Sequence, residues 1–162
     1  MKLSLKTGLC FGLTSGTITT LGLMIGLHSG TQSRLAIIGG IIIIAIADAF
    51  SDALGIHISE EAKNHSDGKI VWESTVSTFL TKFFYALTFT IPVILIPNLL
   101  TAMIVGIIWG LTVLSVLSFK IARDGKEKTW KVVAEHFIIA LAVIIISHFV
   151  GDWVREVFYT TL

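Results

Sequence analysis

Long apolar stretches alternate with short polar breaks along this chain. Runs over residues 5–27, 35–58, 77–96, 99–122 and 132–154 are separated by clusters of charged and turn-forming residues. A helix needs roughly 20 mainly apolar residues to cross about 30 Å of hydrocarbon, so each run predicts one membrane-spanning helix. The expected fold class is therefore all-α, a single five-span transmembrane domain over residues 1–162. The third span is the weakest, since Lys82 lies within it, Pro92 interrupts it and Pro97 ends it. Lys82, close to one end of its run, is expected to snorkel to the interface. A kink at Pro92 is tolerated if neighbouring helices satisfy the carbonyl that it frees.

Composition agrees with this pattern. The chain is 54% hydrophobic and only 14% charged, with a mean hydropathy of +0.86, which is the range of polytopic membrane proteins. Lys2, Lys6, Lys63, Lys69, Lys120, Arg123, Lys126, Lys128 and Lys131 fall on one side of the predicted topology, and only Arg34 and Arg155 on the other. The positive-inside rule then places the N-terminus in the cytoplasm and, after five spans, the C-terminus outside. The N-terminal stretch "MKLSLKTGLCFGLTSG" is too diluted by Gly, Ser and Thr to read as a cleaved signal peptide. A compact chain with no organelle signal suggests a prokaryotic plasma membrane. The single Cys10 rules out an intramolecular disulfide and reads as a small buried residue. Nothing supports nucleic-acid binding. No phosphate-cradling loop, nucleophile elbow, CxxC or HExxH motif is present, so neither an enzyme nor a prosthetic group is expected.

The first span carries Gly8, Gly12, Ser15, Thr19, Gly22 and Gly26 at three- and four-residue intervals. That spacing predicts a small-residue stripe along one face, against which another backbone can pack closely. The second span carries the most unusual chemistry. In "AIADAFSDALGIHISEE" Asp48 and Asp52 stand four residues apart on one helical face, which Gly55 and Ser59 continue toward the cytoplasm. An ionised Asp at the bilayer centre costs about 2.5 to 3.5 kcal/mol on insertion scales, so the pair needs a cation, a basic partner, a proton or water. Lys82 is the basic candidate within the spans. The cation reading takes Asp48 and Asp52 as ligands together with the Ser15 and Thr19 hydroxyls of the first span; carboxylates suit hard or borderline divalent ions.

Past Asp52, residues His57, Ser59, Glu60, Glu61, His65, Asp67 and Glu73 form a candidate cytoplasmic entrance at the end of the second span and along the short loop over 60–74 that follows it. His57 lies about 140° round the helix from Asp52, a helper or packing position. Glu135 and His136 open the fifth span on an expected interfacial face. His148 and Asp152, four residues apart, make a structural pair or an outer gate.

Two stretches resemble the vacuolar iron transporter family. "GLTSGTITTLGLMIGLHSG", Gly12 to Gly30, is similar to that family's first-span signature, where "DGL" leads through small residues to "GL". "SDALGIHISEEAK", Ser51 to Lys63, resembles the second-span ending "SMALGEYISV", and "YALTFTIPVILIP" and "GDWV" fit later parts of the pattern. The resemblance implies a five-span, proton-coupled exporter of Fe2+ and Mn2+. It also implies a homodimer whose ion path is built by the first and second spans of both subunits. The departures bear on the site. The family's metal-binding first-span Asp is here Ser15, its second-span Met is here Asp52, and its cytoplasmic metal-collecting helices are missing. A carboxylate has in effect changed helices, which implies a harder ion preference. The alternative is a chain of the same fold that no longer transports and acts as a sensor or interaction partner, with Asp48 and Asp52 bound to Lys82.

Overall fold

The computed structural model describes residues 2–63, 67–125 and 128–159. Its helices are α1 (Leu3–Thr31), α2 (Arg34–Glu61), α3 (Gly68–Thr88), α4 (Thr90–Leu95), α5 (Leu99–Asp124) and α6 (Thr129–Tyr159). The described residues contain no strand, and five helical segments are long and apolar enough to cross a membrane, α3 and α4 together making the third. Short connections make successive spans antiparallel. The ends bearing Lys2, Lys63, Lys69 and Arg123 thus gather on one side of the bundle, its basic end.

The helix boundaries follow local chemistry. Ser33 caps α2 by accepting from Ala36 N, Asp67 caps α3 by accepting from Lys69 N, and Asn98 caps α5 by accepting from Thr101 N. Gln32, the single residue between α1 and α2 with positive φ (49°), turns the chain in the left-handed conformation. The third span starts at Gly68 rather than near Ser77, so Glu73 and Ser74 belong to a helix and not to the loop expected over 60–74. At the proline break, Phe89 N shifts to the carbonyl of Ala86. Hydroxyls close the gap locally: Thr88 donates to Tyr85 O at 2.6 Å and Thr90 to Leu87 O at 2.7 Å. Trp109 Nε1 donates to the Thr88 hydroxyl across the α5 interface. Arg34 donates from both terminal nitrogens to the carbonyls of Val93 and Pro97, which pins the start of α2 to the turn after α4.

α1 is the central helix, packed on α2, α3, α5 and α6. Its small residues lie along the one face expected, but two different helices pack on that face. Gly8, Gly12 and Gly16 meet Ser74, Ser77, Thr78, Lys82 and Tyr85 of α3, whereas Gly22, Gly26 and Gly30 meet Val143, Ser147 and Gly151 of α6. Height along α1, not direction, explains the split: Gly8 and Gly26, about five full turns apart, project the same way, but α3 covers the basic half of that face and α6 the other half. Two glycine ladders therefore follow one another along one face of α1. Between residues 6 and 30 only Phe11 is exposed, so α1 offers little surface for a second chain.

The apolar core lies away from the basic end. Leu21, Met24, Ile37, Ile41, Phe89, Val93, Ala102 and Met103 pack there with Tyr85, and Gly106 and Gly110 of α5 make room for Met24, Leu21 and Phe89. α6 is the most peripheral span, with 11% of its apolar window buried, so lipid rather than protein surrounds most of its apolar side chains.

Close approach at the ladders is testable. A Cβ at Gly8 would lie 2.6 Å from Ser77 Cβ and 2.7 Å from Ser74 O, both parts of α3 that cannot yield cheaply, whereas a Cβ at Gly39 meets nothing within 4 Å. Gly8→Ala is expected to destabilise the detergent-solubilised protein by about 1–3 kcal/mol through overpacking. Gly39→Ala should be neutral or slightly stabilising in the same thermal unfolding series.

Candidate functional site

α2 turns Ala45, Ala49 and Ala53 inward, all nearly or fully buried, and these small side chains let the helix sit close to its neighbours. Asp48 and Asp52 lie on the shoulder of that face with side chains 25% and 18% exposed. Opposite them, α3 presents Thr78 and Lys82, both buried in the helix interface. α1 contributes Ser15 beside the first glycine ladder.

Lys82 is 1% exposed, which overturns the expectation that it snorkels to the interface. Its ammonium instead contacts Asp52 Oδ2 in a short hydrogen-bonded ion pair, Asp48 Oδ2 at 2.5 Å and Ser15 Oγ at 2.8 Å. Two carboxylates and a hydroxyl within reach give the ammonium partners for the water it gives up. The Asp48 contact lacks hydrogen-bond geometry and is Coulombic, so Asp48 Oδ2 is buried without a hydrogen bond. With two acids and one ammonium, the triad carries a formal charge of −1 in apolar surroundings.

Of the expected ligand residues, the structure brings Asp48, Asp52 and Ser15 together around the Lys82 ammonium. Thr19 stands apart, its hydroxyl bonded back to Ser15 O at 2.9 Å. Gly55 and Ser59 are exposed on α2 rather than continuing the Asp face inward. One turn beyond Lys82, the Tyr85 hydroxyl meets Thr17 Oγ1 at 3.0 Å, a buried polar pair that sequence reasoning missed. The signal was there: Thr78, Lys82 and Tyr85 recur at helical spacing inside an otherwise apolar span. Past this pair the core around Leu21, Met24 and Phe89 closes the interior with no charged side chain.

The candidate entrance residues do not converge. His57 bonds Thr75 on α3 at 3.0 Å and approaches Glu61 at 3.3 Å. Glu60 is buried and paired with Lys63 at 2.5 Å, Asp67 caps α3, and Glu73 pairs with Lys2 at 2.7 Å while accepting from Ser4 at 2.6 Å. Ser59 and Glu61 face outward, and His65 lies outside the described residues. Among the described residues, no group of three His, Cys, Asp or Glu side chains is placed to hold a metal ion. At the other end of the bundle His148 stands 3.4 Å from Asp152 and 2.5 Å from Ser29 Oγ, so the pair also ties α6 to α1. His136 is half-buried and bonded to Ser118 on α5 at 2.7 Å, a packing contact in place of the interfacial face expected.

The triad should behave as one unit. Lys82→Met leaves two carboxylates without their counter-charge and is expected to destabilise the fold by about 3–5 kcal/mol. Adding Asp48→Asn and Asp52→Asn to that variant should recover most of the loss. Thermal unfolding of the single and triple variants in detergent measures the difference; equal stability of the two would show that the three groups do not act together.

Compared with known protein families, curated proteins and solved structures, the chain matches none.

Proposed function

We propose that this chain carries a divalent cation of the Fe2+ or Mn2+ type across the membrane in exchange for protons, with its basic end toward the cytoplasm. Asp48 and Asp52 bind the cation, Ser15 supplies a neutral oxygen, and Lys82 is the tethered positive charge that occupies the site between transport events. One observation carries this reading: two carboxylates share a single buried ammonium, where a purely mechanical clasp between α2 and α3 needs only one. Intramembrane ionisable groups are expensive to keep, and an unbalanced set is more so.

The charge balance gives a mechanism. A divalent ion held by both carboxylates brings the pair to neutrality, and an ammonium facing that ion is repelled. As the metal enters from the basic end the Lys82 ammonium is displaced and one proton leaves to that side, and a proton taken up from the opposite side restores the resting ion pair when the metal leaves. Metal and proton thus compete for the same two carboxylates, one directly and one through lysine. The buried hydroxyls of Thr78 and Ser74 line α3 between this site and the basic end, whereas the core on the far side must open for passage. Pairing of two chains, if used, falls to α2, whose Ile43, Ala47, Phe50 and Leu54 are exposed. A prokaryotic plasma membrane remains the setting this reading favours.

A second reading is favoured by the Lys82 contacts themselves: a protein of this fold that does not transport and uses the triad to fasten three helices, serving as a sensor or interaction partner. Proteoliposomes separate the two. Transport predicts uptake of Fe2+ or Mn2+, tested beside Co2+ and Zn2+, that responds to an imposed pH gradient and is lost in Asp52→Asn while the protein stays folded. Absence of flux for all four ions with folded wild-type protein, or unchanged flux in Asp52→Asn, would overturn the transporter mechanism.

A further inference from the structure

At the basic end, the first turn of α1, the last turn of α2 and the first turns of α3 enclose a cavity of about 430 Å³, within the usual range for small-ligand sites. Three lysines and three acids line it: Lys2, Lys63 and Lys69 against Glu60, Asp67 and Glu73. On its α3 wall stands Ser74, 0% exposed, whose Oγ has no hydrogen-bond partner. A buried hydroxyl left unpaired is destabilising and calls for a ligand atom or water. The first turn of α1 opens on the same space with no side-chain cap at Lys2, which leaves its N–H groups without a capping side chain. Among the described residues, Lys69 makes no side-chain ion pair, while Lys2 and Lys63 are engaged with Glu73 and Glu60.

A second hollow, of about 700 Å³, shares Lys69 and Glu73 with the first and runs along α3 beside Leu5, Trp72, Val76 and Leu80. A two-signed polar chamber is therefore continuous with an open apolar groove, the combination that a headgroup and its acyl chain present. We propose that this composite site binds one phospholipid with a zwitterionic, amine-bearing headgroup. Its phosphate lies toward Lys69 and the first turn of α1, its ammonium toward Glu60, and one acyl chain fills the groove.

Charge disposition favours this occupant. With Lys2 and Lys63 engaged by Glu73 and Glu60, Lys69 is left for a phosphate and repels a metal ion, while a purely anionic headgroup would bring no donor to the acids of the chamber. A quaternary amine has no N–H to donate to Glu60, so a choline headgroup binds less well than an ethanolamine one. A small soluble zwitterion leaves the apolar groove unused.

The test uses the whole protein in detergent, offered phosphatidylethanolamine, phosphatidylcholine and phosphatidylglycerol with identical acyl chains. Retained lipid is read by native mass spectrometry and stabilisation by thermal unfolding. Phosphatidylethanolamine is expected to be retained about tenfold over the other two, the effect of one charge-assisted hydrogen bond. Glu60→Gln should abolish that preference, and Lys69→Ala, an exposed position that faces the phosphate common to all three, should lower retention of each. Leu80→Trp, which fills the groove, should reduce retention without touching the headgroup chamber, and glycerophosphoethanolamine, the headgroup without chains, should not stabilise the protein. Equal retention of the three lipids, preference for phosphatidylglycerol, full stabilisation by the chainless headgroup, an unchanged preference in Glu60→Gln or unchanged retention in Lys69→Ala would each overturn the proposal. None of these readouts depends on transport.

Discussion

Lys82 reaches two carboxylates of α2 and a hydroxyl of α1 from its place on α3, and the arrangement of these three helices depends on that contact. Within a bilayer there is little hydrophobic gain in bringing one apolar helix against another, because lipid chains satisfy an isoleucine as well as protein does. Close packing and polar contacts must then specify the bundle. The triad supplies the strongest polar contact in its interior, and the first glycine ladder, which ends beside Lys82 at Gly16, supplies the closeness that lets Ser15 join it.

The rest of the bundle is organised around the same division. Toward the basic end the interhelical contacts are polar: Ser77 donates to Leu5 O at 3.1 Å, Glu73 holds Lys2 and Ser4, and Lys6 pairs with Asp124 of α5. Toward the other end they are mostly apolar, interrupted among the described residues by the Trp109–Thr88 bond, the main-chain bonds of Arg34 and the His148 contacts. The proline break falls at the boundary between these halves. Thr88 and Thr90 repair it from within the span, so the break changes helix direction without leaving the carbonyls of Tyr85 and Leu87 unpaired in the membrane.

Much of this was legible in the sequence. The five apolar runs located the spans because the thickness of hydrocarbon sets a minimum length that few other structures need. Asp48 and Asp52 announced themselves because charge in such a run is rare and four-residue spacing fixes a shared face. What the sequence left open was the depth of Lys82, since a long flexible side chain near a helix end has two destinations and only the neighbouring helix decides between them. The first-span glycines marked a packing face but not its partners. Their spacing fixes the face, yet the way α3 and α6 cross α1 decides which of them covers each half of it. The start of the third span was hidden by Glu73 and Lys69, whose polarity reads as loop until Lys2, Ser4 and the Asp67 cap give them helical partners.

The triad's unbalanced charge has an electrical consequence as well. A charge moved through the full membrane field exchanges about 2.3 kcal/mol per 100 mV with the transmembrane potential. With both acids ionised, the set Asp48, Lys82 and Asp52 has a formal charge of −1, and a rearrangement that shifted such a set along the membrane normal would be driven or resisted by voltage. A neutral Asp–Lys pair at the same place would move almost without electrical work. In its ionised form the second aspartate is thus the charge on which an energised membrane would act.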